Sequence, residues 1–227
     1  MATFKKLTEG KVMKALDWAY EKSVYGGIPG LSTAEELAND FAHIKNSTNR
    51  ANSLIRWQNA KGATSGFVTG LGGIFTLPVS IPANITTVLY IQVRMIAAIA
   101  HIGGHDIKSD RVKTLVYICL VGSAATDVLK DVGIAVGRKF TEKAIENISR
   151  DTIVKINQRV GFRLLTKFGE KGVVNLVKFL PLVGGVIGGT IDAVATNTIG
   201  NVARNTFIKS RKSRKATKAT KRRAKAI

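Results

Sequence analysis

The stretch SGFVTGLGGIFTLPVSIPANITTVLYIQVRMIAAIAHIGGHD, residues 65–106, decides the fold class of this chain. It overlaps a run without formal charge, residues 62–93, which is longer than the roughly 20 apolar residues of a transmembrane helix. Pro78 and Pro82 interrupt that run, because proline lacks a backbone N–H and restricts the residue before it. The pattern therefore predicts two helices joined at an elbow, a helical hairpin.

The two arms of this hairpin differ in the residues that they carry. The first arm has Gly66, Gly70 and Gly73, small residues whose spacing lets another backbone approach closely. The second arm, about Ala83 to Ile102, would be roughly 30 Å long at 1.5 Å per residue. It carries Arg94 near its middle, and an unpaired arginine at mid-bilayer is costly. The sequence therefore argues against a simple membrane span by this arm.

A second Gly-rich apolar stretch, Phe179 to Ala203, mirrors the first. It contains two interlocked small-xxx-small pairs, Gly184/Gly188 and Gly185/Gly189. Because glycine in a helix interior costs about 1 kcal/mol relative to alanine, this density indicates close backbone packing or a local break. We favour packing against the first arm of the hairpin. Asp192 also lies in this stretch, and we predict a buried ion pair with Arg94; the alternative places Asp192 at the solvent edge.

Three helices are predicted before the hairpin. Apolar residues at helical spacing from Phe4 to Tyr20 predict an amphipathic first helix, which the segment SVYGGIPGL ends. Two overlapping capping boxes, at Ser32 and Thr33, start a second helix that we expect to run to about Ile44. The segment Asn46-Ser47-Thr48 can cap a third. The N-terminus lacks the continuous apolar segment of a secretory signal, so export by that route is not expected.

Further helices are predicted after the hairpin. Ser109-Asp110 can start one that includes TLVYICLVGSAATDVL, residues 114–129. Residues 141–178 predict one or two amphipathic helices, interrupted near Gly161 or Gly169. Their cations are Lys143, Arg150, Lys155, Arg159, Arg163, Lys167, Lys171 and Lys178. We interpret these cations as a solvated face, with binding to an acidic surface as the alternative.

The charge of the chain is divided between a body and a tail. In all, 35 Lys and Arg against 15 Asp and Glu give a formal charge of +20. Half of this excess lies in residues 209–227, which contain no acid and which we expect to be disordered. The tail cations are Lys209, Arg211, Lys212, Arg214, Lys215, Lys218, Lys221, Arg222, Arg223 and Lys225. Such a tail attracts an anionic leaflet or nucleic acid, and without aromatic residues its nucleic-acid binding would be sequence-independent.

The reactive side chains do not indicate a metal or thiol site. Cys119 is the single cysteine, which excludes an internal disulfide and a Cys-based zinc cluster, and we expect it to be a small buried hydrophobe. His43, His101 and His105 do not have a metal-binding spacing, and we interpret them as helix-end or surface residues.

Motifs of catalysis are likewise missing from the sequence. Asp127 and Asp131 share a helical face, but ion pairing with Lys130 or Arg138 explains them better than acid/base chemistry. The sequence has no GxSxG, no P-loop and no GxGxxG after a strand-like segment. We therefore expect no enzymatic activity, no cofactor and no metal.

The chain resembles the EcsC protein family over most of its length. The block Ser65 to Asp106 is similar to the family's Gly-rich arm, Leu-Pro-x-x-x-Pro elbow and Arg-bearing apolar helix. The block Pro181 to Phe207, PLVGGVIGGTIDAVATNTIGNVARNTF, is similar to the family's C-terminal segment. Many relatives have an acid just before the second proline of the elbow, where this chain has Ser80 and Ile81, so no role is carried over for it. The resemblance implies membrane association, a genetic link to ABC transporter components and no assigned activity.

We therefore expect an all-α, multi-helix bundle built around two Gly-rich apolar segments, with a helical domain at residues 1–208 and a basic tail at 209–227. We expect a membrane-associated, non-enzymatic protein with an accessory or structural role. It would bind the anionic lipids at the cytoplasmic face of a membrane, either peripherally or partly inserted. A transporter or other membrane protein is a further expected partner. The alternative is a soluble, cytoplasmic helical bundle that binds nucleic acid non-specifically through its tail. The sequence leaves the oligomeric state open.

Overall fold

The computed structural model describes residues 7–62, 83–134, 145–168 and 186–208, without the side chains of residues 62, 83, 84 and 186–194. Within these ranges the chain forms helices and turns and contains no strand, which confirms the all-α class. The α-helices of these ranges are α1 (Glu9–Tyr25), α2 (Ala34–Asn39), α3 (Ser47–Gly62), α4 (Ala83–Ile102), α5 (Asp110–Leu120), α6 (Ala125–Asp131), α7 (Arg150–Phe168) and α8 (Val186–Phe207).

Side-chain caps fix the starts of the early helices. Helix α1 begins after Thr8, whose hydroxyl accepts the N–H of Lys11. At α2 the hydroxyl of Thr33 accepts the N–H of Glu36, whose carboxylate accepts the N–H of Thr33, so the expected capping box is present. Helix α2 is shorter than predicted and ends at Asn39, because the chain then changes to i to i−3 hydrogen bonds, such as Ala42 N–H to Asn39 O.

Helix α4 is the central helix of the bundle and packs against α1, α2, α3, α5 and α8. Its bounds, Ala83–Ile102, are those predicted for the second arm of the hairpin. Side chains from Met95 to Ala100 are all fully buried, as expected of a helix that is apolar around its whole circumference. Among the described residues, α4 is the one helix long and apolar enough to cross a membrane, and 89% of its 18-residue window is buried inside the bundle. Packing against protein is thus sufficient to explain its apolar composition.

One prediction about a helix break was wrong, and a second is narrowed to one of its two alternatives. The helix expected over residues 114–129 is divided by a 3₁₀ turn, Gly122–Ala124, because Gly122 takes a positive φ of 59° that ends α5. Helix α7 continues through Gly161, whereas Gly169, the other predicted interruption, lies outside the described residues. A Cβ at Gly161 would lie 2.8 Å from Cγ of Glu9 and 3.2 Å from Cγ of Met13, so this glycine lets α1 approach α7.

Helix α8 packs against α3, α4 and α5. Gly200 lets α8 approach α3 closely, because a Cβ there would lie 2.7 Å from Cγ1 of Ile55. A polar contact holds the same pair of helices together: Arg204 donates to Oδ1 of Asn52 at 2.6 Å. The second apolar segment is therefore part of the bundle over its described residues.

Candidate functional site

The middle of α4 holds a buried arginine. Arg94 is 2% exposed, and its Nη1 donates to the carbonyl oxygen of Ser32 at 3.1 Å. Its guanidinium also lies 5.5 Å from the centre of the Tyr90 ring, within the range of a cation–π interaction. Its Nε has no hydrogen-bond partner. A buried charge with so few partners is costly, so this position is a candidate for a further electrostatic contact.

The ionisation of Arg94 reflects the same surroundings. Burial lowers the pKa of its guanidinium, and the neighbouring Tyr90 and the charge of Asp40 oppose that shift. Asp192, the predicted partner, is in α8, which packs against α4, but its side chain lies outside the described residues. The Arg94–Asp192 ion pair therefore stays a prediction.

Several other predicted positions also lie outside the described part of the chain. Gly188 and Gly189 belong to the first turn of α8. The positions that lie outside are Gly66, Gly70, Gly73, Pro78, Pro82, Gly184, Gly185 and the tail cations Lys209 to Lys225. The packing of the two Gly-rich segments against each other, and the tail itself, therefore stay predictions.

The residue that precedes the tail is fixed in the bundle. Ile208 is 3% exposed, and its N–H donates to the carbonyl oxygen of Arg204 at the end of α8. One residue earlier, the carbonyl oxygen of Phe207 lies 3.0 Å from Nε2 of His105, which must carry the proton because a carbonyl only accepts. The rings of these two residues are also in contact, with centroids 5.3 Å apart. The basic tail therefore follows directly on an anchored helix end.

A polar cluster that the sequence did not reveal joins α1 to α5. Asp17 accepts hydrogen bonds from the Tyr117 hydroxyl at 2.8 Å and forms an ion pair with Lys113 at 2.7 Å. The hydroxyl of Tyr20 donates to the carbonyl oxygen of Ile107 at 2.7 Å. Burial, and then the charge of Asp17, raise the pKa of Tyr117. Both effects keep the Tyr117 hydroxyl protonated, so it is a hydrogen-bond donor rather than a base. The cluster is therefore suited to holding helices together.

The histidines and paired aspartates do not converge on a reactive centre within the described ranges. Those ranges contain no group of three His, Cys, Asp or Glu side chains that could hold a metal ion. His105 lies just after the end of α4 and is buried at 6% exposure, where it packs on Phe207. Asp131 lies 3.9 Å from Arg159 of α7, while Arg138, one of its predicted partners, lies outside the described residues.

The comparisons with known proteins give one positive result. The model of a family described as the EcsC protein family matches residues 3–211 of the chain. No curated protein and no solved structure shows a significant match. The matched range includes all the described helices and ends within the basic tail.

Proposed function

The chain belongs to the EcsC protein family, and from that premise we propose that it is a non-enzymatic accessory or structural protein bound to the cytoplasmic face of a membrane. The observation that carries this proposal is the attachment of the tail: ten cations in 19 residues follow a helix end that His105 and the burial of Ile208 fix to the bundle. Each lysine or arginine near an anionic leaflet contributes about 1 kcal/mol of binding free energy. A folded body with such a tail is suited to peripheral binding.

The mode of binding that we propose is peripheral rather than a span by α4. Turning α4 towards lipid would remove it from the five helices that cover it. It would also place Arg94 near the centre of the hydrocarbon layer, where an arginine costs several kcal/mol. The Gly-rich first arm of the hairpin is the segment that we propose to add partial insertion to this electrostatic attachment.

The partner at the membrane is proposed from the family resemblance. The resemblance implies a genetic link to ABC transporter components, and we extend that link to this chain as an accessory role beside a transporter or another membrane protein. The Asp17–Tyr117 contact fits a structural role, since it joins two helices and burial keeps the Tyr117 hydroxyl protonated.

Flotation with vesicles tests this proposal. The full chain is mixed with vesicles of phosphatidylcholine and phosphatidylserine, or of phosphatidylcholine alone, at physiological salt. Two variants of equal length are compared: one with the ten tail cations replaced by glutamine, and one with the tail residues in scrambled order. We expect the glutamine variant to lose at least about 100-fold in partitioning, and the scrambled tail to bind like the original, because the attraction depends on charge and not on sequence.

Nucleic acid is the competing ligand for the same tail. Titration of the same three proteins with labelled double-stranded DNA at physiological salt measures it directly. Recovery of the full chain in the soluble fraction, together with sub-micromolar DNA binding that the glutamine variant loses, would overturn the membrane proposal in favour of a soluble nucleic-acid binder.

A further inference from the structure

Helix α7 exposes a row of cations. Lys155, Arg159 and Arg163 follow one another at intervals of four residues and are all exposed. At a rise of 1.5 Å per residue, the row is about 12 Å long. Lys167 extends it by one further turn, and Asp151 is the single acid in the sequence of α7. The outer side of this helix therefore carries a net positive charge.

Exposed apolar side chains lie beside this row. Three large hydrophobic side chains are exposed among the described residues: Tyr25 on α1, and Val154 and Phe162 on α7, at 53% and 56% exposure. Phe162 follows Lys155 by seven residues, or about two turns, so the two lie along one line of the helix. The core is filled from the opposite side of α7 by Ile156, Val160 and Leu164. Phe162 and Val154 are thus not required for the packing of the bundle.

The acids near the row neutralise little of it. Asp131 lies 3.9 Å from Arg159, but both side chains are largely exposed, and such pairs contribute at most about 1 kcal/mol in water. Asp151 lies one turn before Lys155, at the N-terminal end of the row. Glu9 of α1 lies against Gly161, on the side of α7 that contacts α1, and Arg163 and Lys167 lie three turns or more beyond Asp151 along the helix. The charge of the row is therefore available to an anionic surface.

The combination of cations and apolar side chains selects between the two anionic partners. A nucleic-acid backbone offers phosphates to the cations but no apolar environment to Phe162. An anionic bilayer offers both, since headgroups attract the cations and the boundary between headgroups and acyl chains accepts aromatic and aliphatic side chains. Exposed apolar groups rimmed by charge are typical of interaction surfaces.

We propose that the outer face of α7, defined here as Lys155, Arg159, Phe162 and Arg163, docks on an anionic lipid bilayer, with Phe162 entering the boundary between headgroups and acyl chains. This inference rests on the proposed membrane function and adds an orientation to it. The α7 side of the bundle faces the bilayer, and α3, whose main contacts are with α8 and α4, is not part of the docking surface.

Charge neutralisation tests the row. Full-length K155Q/R159Q/R163Q is compared with the matched control K45Q/R56Q/K61Q, which removes the same charge from exposed positions on and before α3. Flotation uses vesicles of phosphatidylcholine and phosphatidylserine over a salt series. Because each cation near the surface contributes roughly five-fold in partitioning, we expect a loss of about 100-fold for the α7 variant and a weaker salt dependence. The control is expected to stay within about three-fold of the original chain.

Insertion is tested at Phe162, with Tyr25 as the matched exposed aromatic residue. We expect Phe162→Ser to reduce partitioning by about ten-fold and Tyr25→Ser to leave it unchanged. Phe162→Cys and Tyr25→Cys are also labelled with a polarity-sensitive fluorophore. The native thiol of Cys119 is fully buried, so the label goes to the introduced one. Anionic vesicles should shift the emission of the label to the blue at position 162 and not at position 25, and thermal unfolding verifies that each variant is folded.

The outcomes separate this inference from the proposed function. If the unaltered chain does not bind anionic vesicles, the membrane function itself is wrong. If it binds, but the α7 variant binds equally well or the α3 control loses as much, the docking surface is wrong while the membrane function stands. Loss of double-stranded DNA binding in the α7 variant, with vesicle binding unchanged, would assign the row to nucleic acid instead.

Discussion

Gly103 and Phe207 approach each other so closely that a Cβ at Gly103 would lie 2.5 Å from the carbonyl oxygen of Phe207. The two residues are at the ends of α4 and α8, the described parts of the two apolar segments. That carbonyl oxygen also accepts the hydrogen bond of His105. The backbones of the two segments therefore approach each other closely, next to the point where the basic tail begins.

Gly103→Ala is expected to destabilise the bundle. The atom that a methyl group would meet belongs to the backbone, so it cannot rotate away as a flexible side chain would, and we expect a loss of about 1–3 kcal/mol in the free energy of unfolding. Urea unfolding followed by circular dichroism measures it. Gly10→Ala is the control: nothing lies within 4 Å of its Cβ position in α1, so alanine should be neutral or stabilise by up to about 1 kcal/mol. Equal stability of the two variants would contradict the close approach.

The contact between Gly200 and Ile55 predicts coupled effects on stability. Gly200→Ala places a methyl group 2.7 Å from Cγ1 of Ile55, which must shift, whereas Ile55→Ala leaves a cavity and costs about 2–4 kcal/mol alone. In the double variant the new methyl group occupies part of that cavity. We expect the double variant to be more stable than the sum of the single losses predicts, by at least about 1 kcal/mol. Additive losses in urea unfolding would mean that α3 and α8 are farther apart at this point.

The bounds of α4 could be predicted because the signals are local. Pro82 precedes the helix and Gly103-Gly104 follows it, and the apolar run between them has helical length. The break at Gly122 was missed because the residues on both sides continue a helical pattern, and only the positive φ of the folded chain reveals the turn. The sequence therefore shows where helices can form more reliably than where tertiary packing ends them.

The close approaches of the helices could not be predicted from spacing. The prediction relied on glycines spaced four residues apart, whereas the described contacts use Gly103, Gly161 and Gly200, none of which has a glycine four residues away. Each of these positions needs a glycine because an atom of another helix lies where a Cβ would be. That other helix is far away in the sequence. The Asp17–Tyr117 contact, 100 residues apart in sequence, was missed for the same reason. The exposure of Phe162 was also missed, since a phenylalanine in a helix is usually buried.

Cys119 predicts a pH dependence of stability. Burial raises the pKa of its thiol to about 12, so the folded chain keeps a proton that the unfolded chain releases above the ordinary thiol value. The contribution of the protonated thiol to the free energy of unfolding is therefore complete below that ordinary value. It is lost as the pH rises towards about 12, at roughly 1.4 kcal/mol per pH unit. The stability difference between the original chain and Cys119→Ala should be constant from pH 6 to about 8 and shift in favour of the variant above about 9. A constant difference over the whole range would show that the thiol is not buried.

The predicted pair of Arg94 and Asp192 is tested by a double-mutant cycle. Arg94→Met preserves the volume of the side chain but would leave the Asp192 carboxylate buried without its partner, which costs about 3–5 kcal/mol. In Arg94→Met/Asp192→Asn that carboxylate is gone, so we expect much of the lost stability to return, with a coupling energy of at least about 1 kcal/mol. If the only interactions of Arg94 are those with Ser32 and Tyr90, Arg94→Met should be close to neutral, because an apolar side chain avoids the cost of the buried charge. Asp192→Asn would then have the same effect in both backgrounds, and urea unfolding of the four proteins decides between the two outcomes.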